Sequence, residues 1–184
     1  MENSKEKKDK HFSLVIHKIA RLFEPPKTIL EPYIIKGQVV ADLGCGPGYY
    51  SLHFAKILGP EGKVYSVDSD ERCIKALEKK ARKKGYTNIE AHATCASDLS
   101  FIDEASIDFI FSNGLLCSIA PKQRETAVNE MKRILKPNGL AFLSAARGSY
   151  SYMIMEEWEK ILAGFKVIRR EDKSSEFIAE VSKQ

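Results

Sequence analysis

The stretch Val39–Tyr50 constrains the fold more than any other part of this 184-residue sequence. Its apolar start ends at Asp42, and three glycines then follow at alternate positions, Gly44, Gly46 and Gly48. Glycine adopts positive φ without strain and has no Cβ, so a ligand can approach its backbone closely. The residues after the glycines have helical composition, and the N-terminus of a helix offers backbone N–H groups. The stretch therefore predicts a strand, a tight turn and a helix that together border a ligand.

The spacing of these glycines is G-x-G-x-G, which differs from the dinucleotide fingerprint G-x-G-x-x-G. In that fingerprint a small residue would stand where this chain has Tyr49. A nucleotide-utilising oxidoreductase is therefore a disfavoured alternative. A Gly-rich turn by itself is also compatible with a purely structural connection between a strand and a helix.

Three polar residues at the ends of apolar runs favour the ligand site. Asp42 ends the first run, Asp68 closes the run that starts at Lys63, and Asn113 closes a later one. If these runs are parallel strands, all three side chains lie at carboxyl ends, where open α/β sheets bind ligands. This combination is less typical of a structural turn.

The segments Val39–Gly48 and Val64–Asp68 resemble the cofactor-binding core of class I S-adenosylmethionine-dependent methyltransferases, in particular the small-molecule, type 11-like family. The resemblance covers most of the chain from about Pro25 onward. It continues through Ala93–Phe101, Ile107–Leu116 and Leu135–Gly139. Together these motifs are specific for the superfamily but not for a substrate.

Apolar periodicity predicts alternating strands and helices. The predicted strands are 39–42, 63–68, 88–93, 107–112, 140–146, 165–169 and 176–181, and the predicted helices are 51–58, 70–85, 121–136 and 154–162, with a turn at 137–139. Alternating units indicate a parallel sheet, and a final strand pair with so short a link must be antiparallel. The expected fold class is α/β: a doubly wound (Rossmann-like) seven-stranded mostly parallel sheet with an antiparallel C-terminal strand and helices on both faces.

The N-terminal part is expected to differ from the core. Residues 1–10 are predicted to be a disordered tail, and residues 11–184 a single domain. Within that domain, residues 11–36 would form two cap helices and residues 37–184 the cofactor-binding core. In the family such helices commonly cover the cofactor. Simple packing on the sheet is an equally good interpretation.

The resemblance implies S-adenosylmethionine as the cofactor and assigns a role to each part of the turn. The backbone of Gly44–Gly46 would lie under the amino acid and ribose, and Asp42 would hold the ammonium directly or through water. Asp68 would accept hydrogen bonds from both ribose hydroxyls, and Ser69 would border the adenine. The implied cofactor-binding residues of this region are Asp42, Gly44, Cys45, Gly46, Gly48, Tyr49, Asp68 and Ser69.

The segment Thr94–Leu99 resembles the family's adenine-edge loop, but it departs from it at one position. Where an acid usually receives the adenine amino group, this chain has Cys95, which is a poor acceptor. Ala96 would still offer its N–H to a ring nitrogen. The amino contact is then either lost or passed to Asp98.

At the methionine end of the cofactor, Asn113 and Gly114 would close the site through backbone carbonyls. Many enzymes that methylate amino groups of nucleic acids or protein glutamine have Asn-Pro-Pro-Tyr here, whereas this chain has Asn113-Gly114-Leu115-Leu116. A small-molecule acceptor is therefore expected. Its pocket would come from the loop after Leu116, the N-terminal helix and the segment Gly148–Met155.

The sequence identifies no catalytic residue. Four side chains are expected to face the pocket, Tyr49, Tyr50, Cys117 and Ser118. Small-molecule relatives often carry a histidine near position 117, which this chain lacks, and an inert Cys117 is favoured over a nucleophilic one. The expected function is methyl transfer to a small molecule by in-line displacement. The alternative is a non-catalytic S-adenosylmethionine-binding regulatory or partner subunit.

Composition limits the partners and the setting. The net charge of +4 is modest, and the lysine clusters Lys5–Lys10 and Lys79–Lys84 lack interleaved aromatics, so the sequence disfavours nucleic acid as a partner. No apolar run approaches the roughly 20 residues of a membrane span. Four dispersed cysteines without C-x-x-C indicate no metal site and a reducing, cytoplasmic location. The oligomeric state and the atom that is methylated stay open.

Overall fold

A computed structural model describes residues 32–147 and 153–183 of the chain. The chain divides after Pro32, and the fold described below is that of the unit Tyr33–Gln184. The predicted tail and almost all of the predicted cap region fall in residues 1–31, outside the described residues. Residues 148–152, most of the segment expected to border the acceptor, also lie outside them.

Strands and helices alternate along the described part until the last two strands. In chain order the elements are β1 (Val39–Leu43), α1 (Tyr49–Leu58), β2 (Lys63–Asp68), α2 (Glu71–Lys84), β3 (Ile89–Ala93), β4 (Ile107–Asn113), α3 (Pro121–Ile134), β5 (Leu135–Ala146), α4 (Met155–Leu162), β6 (Lys166–Asp172) and β7 (Glu176–Ser182). None of these helices combines the length and apolar composition that crossing a bilayer demands.

The strands form one seven-stranded sheet in the order β3-β2-β1-β4-β5-β7-β6. Neighbouring strands from β3 through β5 pair in parallel, while β7 lies antiparallel between β5 and β6. This arrangement confirms the predicted fold class. The chain runs outward from β1 to β3 and then returns to β4 beside β1, so the order reverses between β1 and β4. The carboxyl ends of those two strands border the crevice where such sheets bind ligands.

Hydrophobic side chains cover both faces of the sheet. On one face, α3 and α4 bury Met131 and Trp158 in the main core together with Ile110 and Leu143. On the other face, α1 contributes Phe54, whose ring lies 5.5 Å from that of Phe111 on β4. Successive strand residues point to opposite faces, so Ile110 and Phe111 anchor helices on opposite sides. The central strands β4 and β5 are therefore packed on both faces.

The prediction of a helix to Lys136 followed by a turn at 137–139 is wrong, because these residues lie within a strand. Helix α3 ends at Ile134, not Lys136, and β5 already begins at Leu135. Ile107 pairs with Leu135 and Phe109 with Leu140, so residues 136–139 form a bulge within a strand. Pro137 cannot donate a ladder hydrogen bond, and a Cβ on Gly139 would lie 3.0 Å from the Ile107 carbonyl oxygen. These two residues shape a bulge that sequence patterns alone do not distinguish from a turn.

Helix α2 packs directly on the Gly-rich turn, as its predicted caps and apolar stripe allow. The Asp70 carboxylate accepts the N–H of Arg72 at the start, and Gly85 ends the helix with φ of 70°. In the middle, Leu77 is fully buried against Gly48: a Cβ on that glycine would lie 2.2 Å from Leu77 Cδ1. Gly48 also has φ of 82°. The position therefore requires glycine both for backbone conformation and for packing.

We expect Gly48→Ala to lower the free energy of unfolding by about 2–5 kcal/mol, because it adds overpacking against Leu77 to the cost of a positive φ. Gly85→Ala is the matched control. Its φ is also positive, but a Cβ there meets nothing within 4 Å, so a loss of about 1–2 kcal/mol is expected. Urea denaturation of both variants measures the difference. Equal losses in the free energy of unfolding would show that crowding against Leu77 does not add to the destabilisation in Gly48→Ala.

Candidate functional site

The Gly-rich turn is fixed to the neighbouring strand β2. Gly44, Gly46 and Gly48 have φ of 78°, 52° and 82°. The N–H groups of Gly44 and Cys45 both donate to the Val67 carbonyl, at 2.8 and 3.0 Å. The turn therefore crosses the end of β2 immediately before Asp68.

Asp68 joins the turn to the start of α2. Its Oδ2 accepts the Gly46 N–H at 2.8 Å, and its Oδ1 accepts the Asp70 N–H at 2.9 Å. A carboxylate has about four lone-pair positions, so two backbone contacts leave capacity for ligand hydroxyls. The side chain is only partly buried, which keeps it accessible from the crevice.

Asp42 lies under the turn. Its carboxylate is 2% exposed and accepts the Ser51 hydroxyl at 2.5 Å. This contact ties the end of β1 to the first turn of α1, a role that the sequence did not indicate. The predicted contact between Asp42 and a ligand ammonium stays a prediction.

Cys45 is a buried thiol in the turn, 2% exposed. Burial, and then the nearby carboxylates of Asp42 and Asp68, raise the pKa of Cys45 well above its usual range. The group therefore stays a neutral thiol at physiological pH. Its backbone, not its sulfur, is what the turn presents.

The loop after β3 is held by an ion pair on α3 that sequence inspection missed. Arg133 Nη2 donates to the Leu99 carbonyl at 2.8 Å, and Glu130 Oε2 accepts the Leu99 N–H at 3.1 Å. The two side chains also pair with each other at 2.7 Å, which lowers the pKa of Glu130. The spacing of a glutamate and an arginine three residues apart on a helix was the available signal, but it usually marks an exposed pair.

In the same loop, Ala96 is buried and Cys95 is half-buried. The Cys95 carbonyl accepts the Asp98 N–H at 2.9 Å. Asp98 Oδ1 in turn accepts the Ser100 hydroxyl at 2.9 Å. One oxygen of Asp98 is thus engaged in the loop itself. Whether Asp98 takes over the contact with the adenine amino group, in place of Cys95, stays a prediction. Ser69, the other predicted neighbour of the adenine, is exposed after β2.

At the end of β4, the chain opens toward the crevice. Asn113 Oδ1 accepts the Ser144 hydroxyl at 2.5 Å, and the Gly114 N–H donates to the Ser144 carbonyl at 3.1 Å. Gly114 has φ of 75°, and a Cβ there would meet nothing within 4 Å. Leu115, by contrast, packs against Gly44: a Cβ added to Gly44 would lie 3.1 Å from the Cβ of Leu115. The Gly-rich turn and the loop after β4 (residues 114–120, the β4 loop) therefore meet at the point where the strand order reverses.

Of the four side chains expected to face the pocket, Tyr50 does not. It is 4% exposed, and its ring lies 4.6 Å from that of Phe111 in the aromatic core. Tyr49 is half-buried beside it. In the β4 loop, Cys117 donates to the Gly114 carbonyl and Ser118 to the Leu115 carbonyl, at 3.2 and 2.7 Å. Both groups are thus engaged with their own loop, and neither contacts a described base.

No cluster of three histidine, cysteine or acidic side chains that could hold a metal ion occurs among the described residues. The N–H groups of Gly44, Cys45 and Gly46 are already donated to Val67 and Asp68, so the site offers chiefly backbone carbonyls and the Asp68 carboxylate. Such a set suits a ligand with hydroxyl and amino groups.

We expect the cysteines to differ in alkylation by iodoacetamide at pH 7.5. Cys45 and Cys73 are buried, and the raised pKa of Cys45 keeps it protonated, whereas Cys95 and Cys117 are partly exposed. Mass spectrometry of the native protein should find the latter two modified first, and all four modified after denaturation. Early labelling of Cys45 would contradict this.

Comparison with known proteins identifies the family of this chain. The family model described as "Methyltransferase domain" matches residues 40–139, which include the turn, Asp68 and the β4 loop. The demethylmenaquinone methyltransferase of Geobacillus stearothermophilus is 32% identical over 105 residues, covering 57% of this chain and 44% of that protein. The ribosomal protein L11 methyltransferase of Thermosipho melanesiensis is 30% identical over 148 residues, covering 75% and 53%.

Among solved structures, a SAM dependent methyltransferase from Aquifex aeolicus superposes with a TM-score of 0.72 at 25% identity. The match covers 91% of this chain and 98% of that one. The Geobacillus and Thermosipho methyltransferases are longer, and this chain spans about half the length of each. Because the family model spans more than half of the chain and the fold agrees, the chain belongs to the class I S-adenosylmethionine-dependent methyltransferase family.

Proposed function

We propose that this protein binds S-adenosylmethionine at the carboxyl ends of β1, β2 and β4 and transfers its methyl group to a small-molecule acceptor. The observation that carries the proposal is the position of Asp68. Its carboxylate accepts N–H groups from both the Gly-rich turn and the start of α2, so it stands where those two segments border the crevice. An acid at this place in open α/β folds binds ribose hydroxyls.

The residues present fit the cofactor at three of its four parts. Asp68 suits the ribose diol, the turn with its positive φ values suits close approach of the amino acid end, and the open space beside Gly114 suits the sulfonium region. The adenine edge fits less well, because Cys95 replaces an acid. Recognition of the adenine would then rest on the Ala96 N–H and on contact with the loop.

Catalysis in this site depends on positioning. S-adenosylmethionine supplies a methyl group that its positively charged sulfur already activates. The protein then has to orient the acceptor and exclude water. Holding two reactants in the correct geometry can by itself lower the activation barrier substantially. The contact of Leu115 with Gly44, which joins the Gly-rich turn to the loop after β4, supports such an arrangement.

The acceptor is inferred to carry an atom that is nucleophilic without help from a general base. Cys117 and Ser118 both donate hydrogen bonds to carbonyls of their own loop, so neither is arranged to remove a proton. A thiol, an acidic phenol or enol, or a carbon nucleophile meets this requirement more readily than an alcohol or an amide. The name of the Geobacillus relative supports a small molecule of this kind, whereas that of the Thermosipho relative points to a protein.

A non-catalytic S-adenosylmethionine-binding subunit is the second candidate. The observation that favours it is the combination of Cys95 at the adenine edge with a β4 loop that presents no base. Such a protein would bind the cofactor without turnover.

To separate the two, the protein is incubated with methyl-labelled S-adenosylmethionine and a panel of reduced quinones, phenols and thiols, with ribosomal protein L11 in a parallel reaction. We expect label in an extractable small molecule. Binding without transfer to any acceptor would favour the regulatory subunit. Label confined to the protein fraction would refute the small-molecule acceptor.

We expect Asp68→Ala to weaken S-adenosylmethionine binding at least tenfold, since it removes acceptors for two ribose hydroxyls and releases the Gly46 N–H. The matched control is Asp108→Ala. That carboxylate accepts the Val39 N–H and pairs with Lys136 at the opposite end of the sheet, so cofactor affinity should not change. Isothermal titration measures both. Unchanged affinity in Asp68→Ala would refute the assignment.

A further inference from the structure

A second cavity lies in the helical layer formed by α3 and α4, apart from the crevice. It has a volume of about 690 Å³. Residues of α3, of α4 and of the turn after α4 line it, and none of the predicted cofactor-binding residues does. Val128 and Ile161 form apolar parts of its wall. The proposed methyl transfer gives this cavity no role.

Arg124 lines this cavity and is 2% exposed. Its Nε donates to the Leu116 carbonyl at 2.8 Å, which holds one edge of the guanidinium. Its Nη1 and Nη2 are buried and have no hydrogen-bond partner among the described residues. The carboxylate of Glu157 lies 3.6 Å from Nη1, close enough to pair by charge but too far for a hydrogen bond.

Leaving the end of a guanidinium without acceptors inside a protein is costly. The Nη1 and Nη2 groups form a planar fork that matches the two oxygens of a carboxylate or phosphate. Arg124 lines the cavity, but Nη1 and Nη2 each expose less than 1 Å² of surface. An oxyanion in the cavity can therefore accept their hydrogen bonds once the end of the side chain turns toward it.

The charges around the cavity favour a negative ligand. Lys122, Lys132 and Lys160 line it together with Arg124, against the carboxylates Glu125 and Glu157. Lys160 is partly engaged, since it pairs with Glu156 at 3.0 Å and with Glu157 at 3.5 Å. Positive groups still outnumber negative ones.

We propose that this cavity is a binding site for a small organic oxyanion, whose carboxylate or phosphate accepts hydrogen bonds from Nη1 and Nη2 of Arg124. The apolar wall formed by Val128 and Ile161 accommodates the body of the molecule. The site does not depend on the proposed methyltransferase activity, because it shares no residue with the crevice.

The test uses isothermal titration of the full chain with benzoate and, separately, with inorganic phosphate, at constant pH and ionic strength. Saturable one-to-one binding is expected. Benzoate binding tighter than phosphate would identify a carboxylate with an apolar body as the ligand class, and the reverse order would identify a phosphate. Absence of saturable binding by either probe would overturn the proposal.

Glu157→Gln removes the negative charge next to the fork, so both probes should bind about fivefold more tightly. Glu156→Gln is the matched control. Like Glu157, Glu156 is on α4 and pairs with Lys160, so its substitution removes the same charge, but Glu156 does not line the cavity. Tightening in Glu157→Gln alone supports the site. Equal changes in both variants, or no change, would show that the anion is not bound at Arg124.

Arg124→Lys keeps the charge and loses the fork, and we expect it to weaken binding at least fivefold. Because Arg124 also holds the Leu116 carbonyl, thermal unfolding is measured in parallel. If this variant does not fold, the pair Glu157→Gln and Glu156→Gln decides the question, since the side chain of Glu157 is 30% exposed and that of Glu156 is 73% exposed. Full affinity in a folded Arg124→Lys variant would overturn the proposal.

Discussion

The carboxylate of Asp68 is the contact on which the geometry of the crevice depends. It accepts one N–H from the Gly-rich turn and one from the start of α2, so a single side chain sets the distance between two backbone segments. Each bond to a charged acceptor is stronger than one between neutral groups. The glycines make the turn possible, Leu77 packs beneath Gly48, and Asp68 keeps the assembly in register with β2. We propose that the same carboxylate, besides shaping the site, binds the cofactor.

The second border of the crevice is the β4 loop. Its polar side chains are turned back on the loop, with Cys117 and Ser118 both bonded to nearby carbonyls. In the part of the site that the structure describes, this loop offers no side chain arranged for proton transfer. Positioning is enough for an already activated methyl donor, provided that the acceptor is nucleophilic on its own.

Helix α3 supports both the crevice and the second cavity through charged residues. Arg133 and Glu130 hold the backbone of the loop after β3, while Arg124 holds the Leu116 carbonyl of the β4 loop. The contacts span up to 34 residues in sequence. They explain why a helix that contributes nothing to the turn still determines the positions of two neighbouring loops. They also leave Arg124 with unused donors at the edge of a cavity.

The sequence by itself determined the sheet, the glycine turn and the family, because periodicity, positive-φ glycines and strand-end acids are local signals. Only the tertiary structure decided that Tyr50 lies in the aromatic core, that residues 136–139 form a bulge and that Arg124 is buried. Those outcomes depend on which distant groups meet: a tyrosine after a glycine turn can face either side, and an arginine on an amphipathic helix is usually exposed. Long-range packing selects among the conformations that local preferences allow.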